Sequence, residues 1–133
     1  MNSPIALQLV NGRERVFLER VWQSFGGDLS KFSEEEKRMY AQSCGQPGVM
    51  RDAFEYFKAF EPTDAADNRN FARTKLPMPL LVIEGEKGMN GVFAVQAALI
   101  SDHMKAIKFA TGHCLMEEKP TETSAALKNF FAN

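Results

Sequence analysis

A mixed α/β chain is expected, helical through its first half and built on a strand–helix–strand unit in its second. Three observations predict it. Before Pro77 the apolar residues recur at helical spacing, most clearly Met50, Ala53, Phe54, Phe57 and Phe60. After it, Pro79-Leu80-Leu81-Val82-Ile83 is a short continuous apolar run, the form of a parallel strand covered on both faces. A second apolar segment, from about Lys105 to Ala110, follows a helical stretch. Strand, helix and strand within about 30 residues make one crossover unit, expected to be right-handed.

The elements follow in order. From Arg13 to Phe25, Val16, Phe17, Arg20, Val21 and Ser24 share a broad, mostly apolar helix face, and Gly26-Gly27 stops the helix. Ser33 and Glu36 have the spacing of a capping box, so a short helix should run from about Glu34 towards Ser43. Pro47 restarts the chain for the helix that reaches Phe60, and Pro62 is expected to close it. Asp64 is a good N-cap for a further helix through Phe71 to about Lys75, with Pro77 and Pro79 marking the boundary beyond. After the first strand, a helix is expected from Gly91 to about Asp102. The last helix opens with Pro120 in its first turn and should pack Leu127, Phe130 and Phe131 on the sheet. No internal repeat or low-complexity segment occurs.

Length and composition exclude several classes. One domain's worth of chain, 133 residues and 44% hydrophobic with 11 Phe, can bury a core. Its 16 basic residues against 17 acidic ones form no basic stripe, which argues against a nucleic-acid partner. Cys44 and Cys114 lie far apart with no second ligand at metal spacing, so neither a metal site nor a disulfide framework is indicated. The first residues lack the basic start and long apolar run of a signal peptide, and no stretch is long enough to span a membrane. A soluble, cytoplasmic protein is expected.

The segment Thr111-Gly112-His113-Cys114-Leu115-Met116-Glu117-Glu118-Lys119-Pro120 carries the chemistry. It places His113, one of two histidines, on a loop at the carboxyl end of a strand, the edge of an α/β sheet where ligands and catalytic groups collect. His103, after the preceding helix, reads as structural. Gly85, Gly88 and Gly91 match neither phosphate-loop spacing and are read as turn and helix-start residues.

Gly-His, a hydrophobic pair, two glutamates and a proline before a final helix resemble the histidine loop of the α/β-hydrolase superfamily. The likeness is to its epoxide hydrolase and haloalkane dehalogenase branch, fluoroacetate-dehalogenase-like members included. It extends over nearly the whole chain, through Gln46-Pro47-Gly48, Tyr56-Phe57-Lys58-Ala59-Phe60 and Leu76-Pro77-Met78-Pro79. The resemblance implies the C-terminal part of an α/β-hydrolase fold: a helical cap at 1–75, then the last two parallel strands and their helices at 76–133. It implies hydrolysis of a small organic substrate such as an epoxide, haloacid or ester, without cofactor, with His113 as the general base.

Two departures accompany it. The nucleophile turn G-x-S-x-G, or its aspartate version, is not in the sequence, nor are the family's oxyanion donors, so the base has nothing to activate. Gly88 stands where the acid that orients the histidine is usual. Glu86 in the same loop is the fallback acid, and beside Lys87 it also reads as solvated surface charge. Tyr56 falls near a place where epoxide hydrolases use a cap tyrosine to donate to the epoxide oxygen, and equally reads as the rim of an aromatic helix face. Trp22 either lines the substrate pocket or packs the cap.

Two parallel strands do not make a finished sheet. The chain is therefore expected to pair with itself as a homodimer or with a missing N-terminal half of the hydrolase. The alternative to a hydrolase segment is a truncated, non-catalytic protein that self-associates or binds another chain.

Overall fold

The computed structural model describes residues 3–89 and 91–132. They divide into two compact units: residues up to Val21 with Ser33–Phe71, and Trp22–Phe32 with Ala72 onwards. The segment 22–32, which lies inside the cap range expected from sequence, is grouped with the strands.

The first unit is helical. Helix α1 (Ser3–Val10) is followed by α2 (Glu14–Phe25), whose last turn belongs to the second unit, then by α3 (Glu34–Cys44) and α4 (Val49–Ala59). The capping box at Ser33 forms in full: the Glu36 amide donates to Ser33 Oγ at 3.2 Å, and the Ser33 amide donates back to Glu36 Oε2 at 2.8 Å. Helix α1 was not foreseen. It packs against α4, burying Ala6 and Val10 in the core that also holds Met50. Phe17 of α2 meets Phe54 of α4 edge to face, with ring centroids 5.9 Å apart.

Helix α4 ends at Ala59, within a residue of the expected Phe60, but Pro62 does not end the helical run as expected. The chain continues through a π-helical turn, Phe60–Asp64, directly into α5 (Ala65–Phe71). The Ala65 amide donates to Phe60 O, five residues back, and the Thr63 hydroxyl donates to Ala59 O at 2.8 Å. Widening by one residue lets the chain pass a proline that a tighter helix would expel. Asp64 consequently lies within the turn rather than at an N-cap, and α5 ends at Phe71, short of Lys75.

The second unit holds the sheet. Strands β1 (Leu80–Gly85) and β2 (Met104–Phe109) are parallel, in register from Leu80↔Met104 to Gly85↔Phe109, and α6 (Val92–Ile100) connects them and packs on both. Gly91 starts α6 with φ at 88°, a left-handed conformation that favours glycine. A short helix α7 (Leu115–Glu118) leads to α8 (Pro120–Phe131), with Pro120 at its first position as expected.

Coverage of the sheet differs from expectation. Leu80 to Ile83 are only half-buried, so β1 is not covered on both faces by this chain. Leu127 and Phe131 are 41% and 79% exposed rather than packed on the sheet, and Phe130 stacks edge-on to Phe131. The cause is width. Two strands less than 5 Å apart make a face narrower than the roughly 10 Å diameter of a helix, and α6 already uses one side.

Candidate active site: the His113 loop

The carboxyl ends of β1 and β2 set the site. The turn after β1 is tied to the segment after β2 by two backbone bonds, Glu86 N–H to Phe109 O and Lys87 N–H to Thr111 O, each 2.9 Å. His113 follows on this loop and its side chain is exposed. Its own N–H donates to Phe25 O at 2.7 Å, and its ring lies near those of Phe25 and Phe93, with centroid distances of 6.2 and 6.4 Å. The imidazole therefore has aromatic neighbours on a fixed backbone and remains open to solvent.

Three glycines make this approach possible. A Cβ on Gly85 would collide with the carbonyl of Gly112, a Cβ on Gly112 would come 2.6 Å from Phe25 O, and a Cβ on Gly27 would come 2.9 Å from the carbonyl carbon of Thr111. From sequence, Gly27 is only a helix stop and Gly85 only a turn residue. In the structure they are where backbones from distant parts of the chain touch.

Glu118, one of the two glutamates of the loop, is 6% exposed. Its carboxylate accepts from the Gly27 amide at 3.0 Å, from the Asp28 amide at 2.9 Å, and from the Gly112 amide at 3.1 Å to either oxygen. The sequence marked Glu118 as part of a pattern without a role. Nothing local to the sequence connects it to Gly27, 91 residues away.

The other expected site residues fall as follows. Glu86 is exposed on the loop after β1, and among the described residues no hydrogen bond or ion pair joins it to His113. Gly88 lies directly behind the histidine: a Cβ there would stand 3.4 Å from His113 Cα and 3.5 Å from its nitrogen. Trp22 is buried and tilted against Phe32, with ring centroids 5.7 Å apart, in the unit that contains the strands. Tyr56 belongs to the helical unit, 65% exposed, edge to face with Phe57 and Phe60 at 6.0 and 5.4 Å. His103 lies at the amino end of β2, where its N–H donates to Ser101 Oγ.

Two further groups bear on the chemistry. Cys114, next to His113, is pushed up to about 11 by burial and by the charges of Glu117 and Glu118, so at neutral pH it is a thiol and not a nucleophile. Glu84, second to last in β1 and opposite Lys108, is buried, and its Oε2 has no hydrogen-bond partner among the described residues. A Cβ on Gly91, at the N-terminus of α6, would stand 3.9 Å from Glu84 Oε1. Among the described residues no three His, Cys, Asp or Glu gather as a metal site requires, and no helix is long and apolar enough to cross a membrane.

No protein-family model matches the chain, and no curated protein matches it in sequence. Solved structures do match. ALR0039 of Nostoc sp. PCC 7120, provisionally described as an alpha/beta hydrolase, is 26% identical, with a TM-score of 0.85 over 93% of this chain and 44% of its own. The epoxide hydrolase CorEH is 23% identical, with a TM-score of 0.85 over 98% of this chain and 47% of its own. Cfl2 of Burkholderia cenocepacia is 23% identical, with a TM-score of 0.82 over 93% and 42%. The chain thus spans less than half the length of the proteins it matches. Its fold, two parallel strands with their helices after a helical stretch, is that of part of an α/β-hydrolase, as the histidine-loop resemblance implies.

Proposed function

We propose that this chain is the histidine-bearing part of a hydrolase for a small organic substrate such as an epoxide, a haloacid or an ester, with His113 as its general base. The observation that carries the reading is the position of His113: exposed, beyond the carboxyl edge of two parallel strands, on a backbone fixed at its own N–H. A nucleophile forms an ester with the substrate as one substrate bond breaks: the epoxide C–O bond, whose oxygen takes a proton, the carbon–halogen bond, which releases halide, or the C–O bond of a substrate ester, which releases its alcohol. His113 then takes a proton from water as the water oxygen adds to the ester carbonyl carbon, and collapse of the adduct breaks the ester C–O bond, the departing oxygen taking that proton and the nucleophile being regenerated. No cofactor is needed. The nucleophile and the oxyanion donors come from outside these 133 residues, which contain no nucleophile turn. Glu86 is the candidate acid on the adjoining loop, and Tyr56 the candidate donor to an epoxide oxygen. Trp22 is assigned to packing, since its ring is buried on Phe32.

The test is a chimera in which this chain replaces the matching segment of CorEH. Epoxide turnover by the folded chimera, lost on His113→Ala, is the expected result. Turnover that survives His113→Ala, or a folded chimera with none, overturns the reading. The chain by itself should hydrolyse none of the three substrate classes above background.

A second reading, a protein that self-associates without turnover, is favoured by exposed apolar surface. Phe57, Phe60, Phe71, Val95, Leu99 and Phe131 are all large and exposed. Sedimentation of the chain alone tests it.

A further inference from the structure

We propose that Glu118 is a positioning residue for His113: its buried carboxylate ties the peptide preceding the histidine to the segment after α2 and so fixes where the imidazole leaves the backbone. The proposal rests on the reading of His113 as a base, to which it adds the group that aims it. Among the described residues no hydrogen bond joins Glu118 to the imidazole. It acts through backbone.

The geometry is specific. The Gly112 amide donates to both oxygens of Glu118, while the next amide, that of His113, donates to Phe25 O. Consecutive N–H groups on either side of the Gly112 carbonyl are thereby held by different partners. Those partners are linked in turn, because Gly27 and Asp28, two and three residues after Phe25, donate to the same carboxylate. The histidine loop and the 25–28 segment are therefore joined as one rigid piece, with glycine backbones in contact between them.

A carboxylate, with two acceptor oxygens, fits this arrangement. Three backbone donors converge on two oxygens, and each is a donor without choice. A glutamine in place of Glu118 offers one acceptor oxygen and turns an NH2 group towards an N–H it repels. An aspartate keeps both acceptors and the charge but is one methylene short. Glu118→Gln should therefore release the loop although it is nearly the same shape, and Glu118→Asp should restore part of the hold.

The experiment uses amide hydrogen exchange and histidine modification by diethyl pyrocarbonate on the full 133-residue chain. In Glu118→Gln the amides of Gly27, Gly112 and His113 are expected to exchange at least tenfold faster, while those of Ile83 and Ile107 in the strands keep their protection. The modification rate of His113 should change severalfold with that of His103 constant, and Glu118→Asp should lie between parent and Gln variant. Unchanged protection at Gly112 with an unchanged His113 rate overturns the proposal. So does uniform loss of protection through loop and strands in both variants, which would make Glu118 a general stabiliser. Neither readout requires turnover, so a failed base assignment, read from His113→Ala in the chimera, remains distinguishable.

Discussion

Gly27 and Gly112 meet backbone to backbone, and a Cβ on either would occupy space held by the nitrogen of the other. One follows a helix and the other precedes the histidine, so this contact decides whether the loop can close at all. Alanine at either position must separate the two backbones and weaken their hydrogen bonds to Glu118. Each substitution is expected to cost on the order of 3 kcal/mol, at the large end for single changes. Gly12→Ala is the control. Its Cβ would meet nothing within 4 Å, but φ is 76°, so the cost should be about 1 kcal/mol, the ordinary left-handed penalty. Urea unfolding of the three variants checks the order, and equal losses would show that crowding at the loop is not the cause.

Gly88 stands behind His113, and its position makes a second prediction. The Cβ of an aspartate there would lie 3.4 Å from His113 Cα, an ordinary van der Waals contact, with the tightest approach 3.3 Å to Gly85 O. Gly88 is not among the glycines with positive φ, so a side chain is not strained by the backbone. Gly88→Asp should bring a carboxylate up to the backbone of His113, within reach of its ring. The His113 ring signals, followed by NMR, are expected to shift in this variant while those of His103 stay. Ring signals that do not shift would mean that this loop does not present its side chain to the histidine.

These glycines mark what the sequence could and could not disclose. Hydrophobic spacing and turn residues located α2, α3, α4, β1, α6, β2 and α8, because each of those signals is local to the element it specifies. Pro62 misled for the opposite reason: whether a proline ends a helix or is absorbed by a π turn depends on how Ala65 and Thr63 find acceptors, which spacing does not encode. The exposed Leu127 and Phe131 depend on how wide the sheet is, a property of strand number rather than of α8. At the candidate site, the place of His113 after the last strand was legible from its motif. The contact of Glu118 with Gly27 was not, since it exists only once residues 91 apart are brought together.

Cys114 offers a test by pH. Burial raises its thiol to about 11, and the carboxylates of Glu117 and Glu118 add to the effect. At pH 8 its thiolate fraction should be roughly a hundredth of that of an exposed cysteine, so iodoacetamide should label it tens of times more slowly than a small thiol. Cys44, raised by burial and by Glu14, should also lag. The folded state disfavours the Cys114 thiolate, so the associated stability is whole below pH 9, the ordinary value, and is lost as pH climbs towards 11. Rapid labelling of Cys114 at pH 8 in the folded chain would contradict the burial of this loop.

Association is the last prediction, and surface area argues it. The chain exposes 9659 Å². A compact monomer of 14.9 kDa exposes about 7,000 Å². Treating the two units as separate domains, whatever their arrangement, raises that to only about 8,400 Å². Roughly 1,200 Å² per chain thus remains beyond what independent folding accounts for, and two copies covering it would bury about 2,400 Å², within the range of permanent homodimers. The apolar residues are in place for it: Leu80 to Ile83 are half-exposed, and Val95, Leu99 and Phe131 stand open in the same unit. Sedimentation equilibrium of the chain alone is expected to give a dimer or larger species at micromolar concentration, dissociating when Val95 and Leu99 are replaced by Ser. A compact monomer that unfolds cooperatively at high micromolar concentration would show that this surface is stable in water and that the chain needs no second copy to cover it.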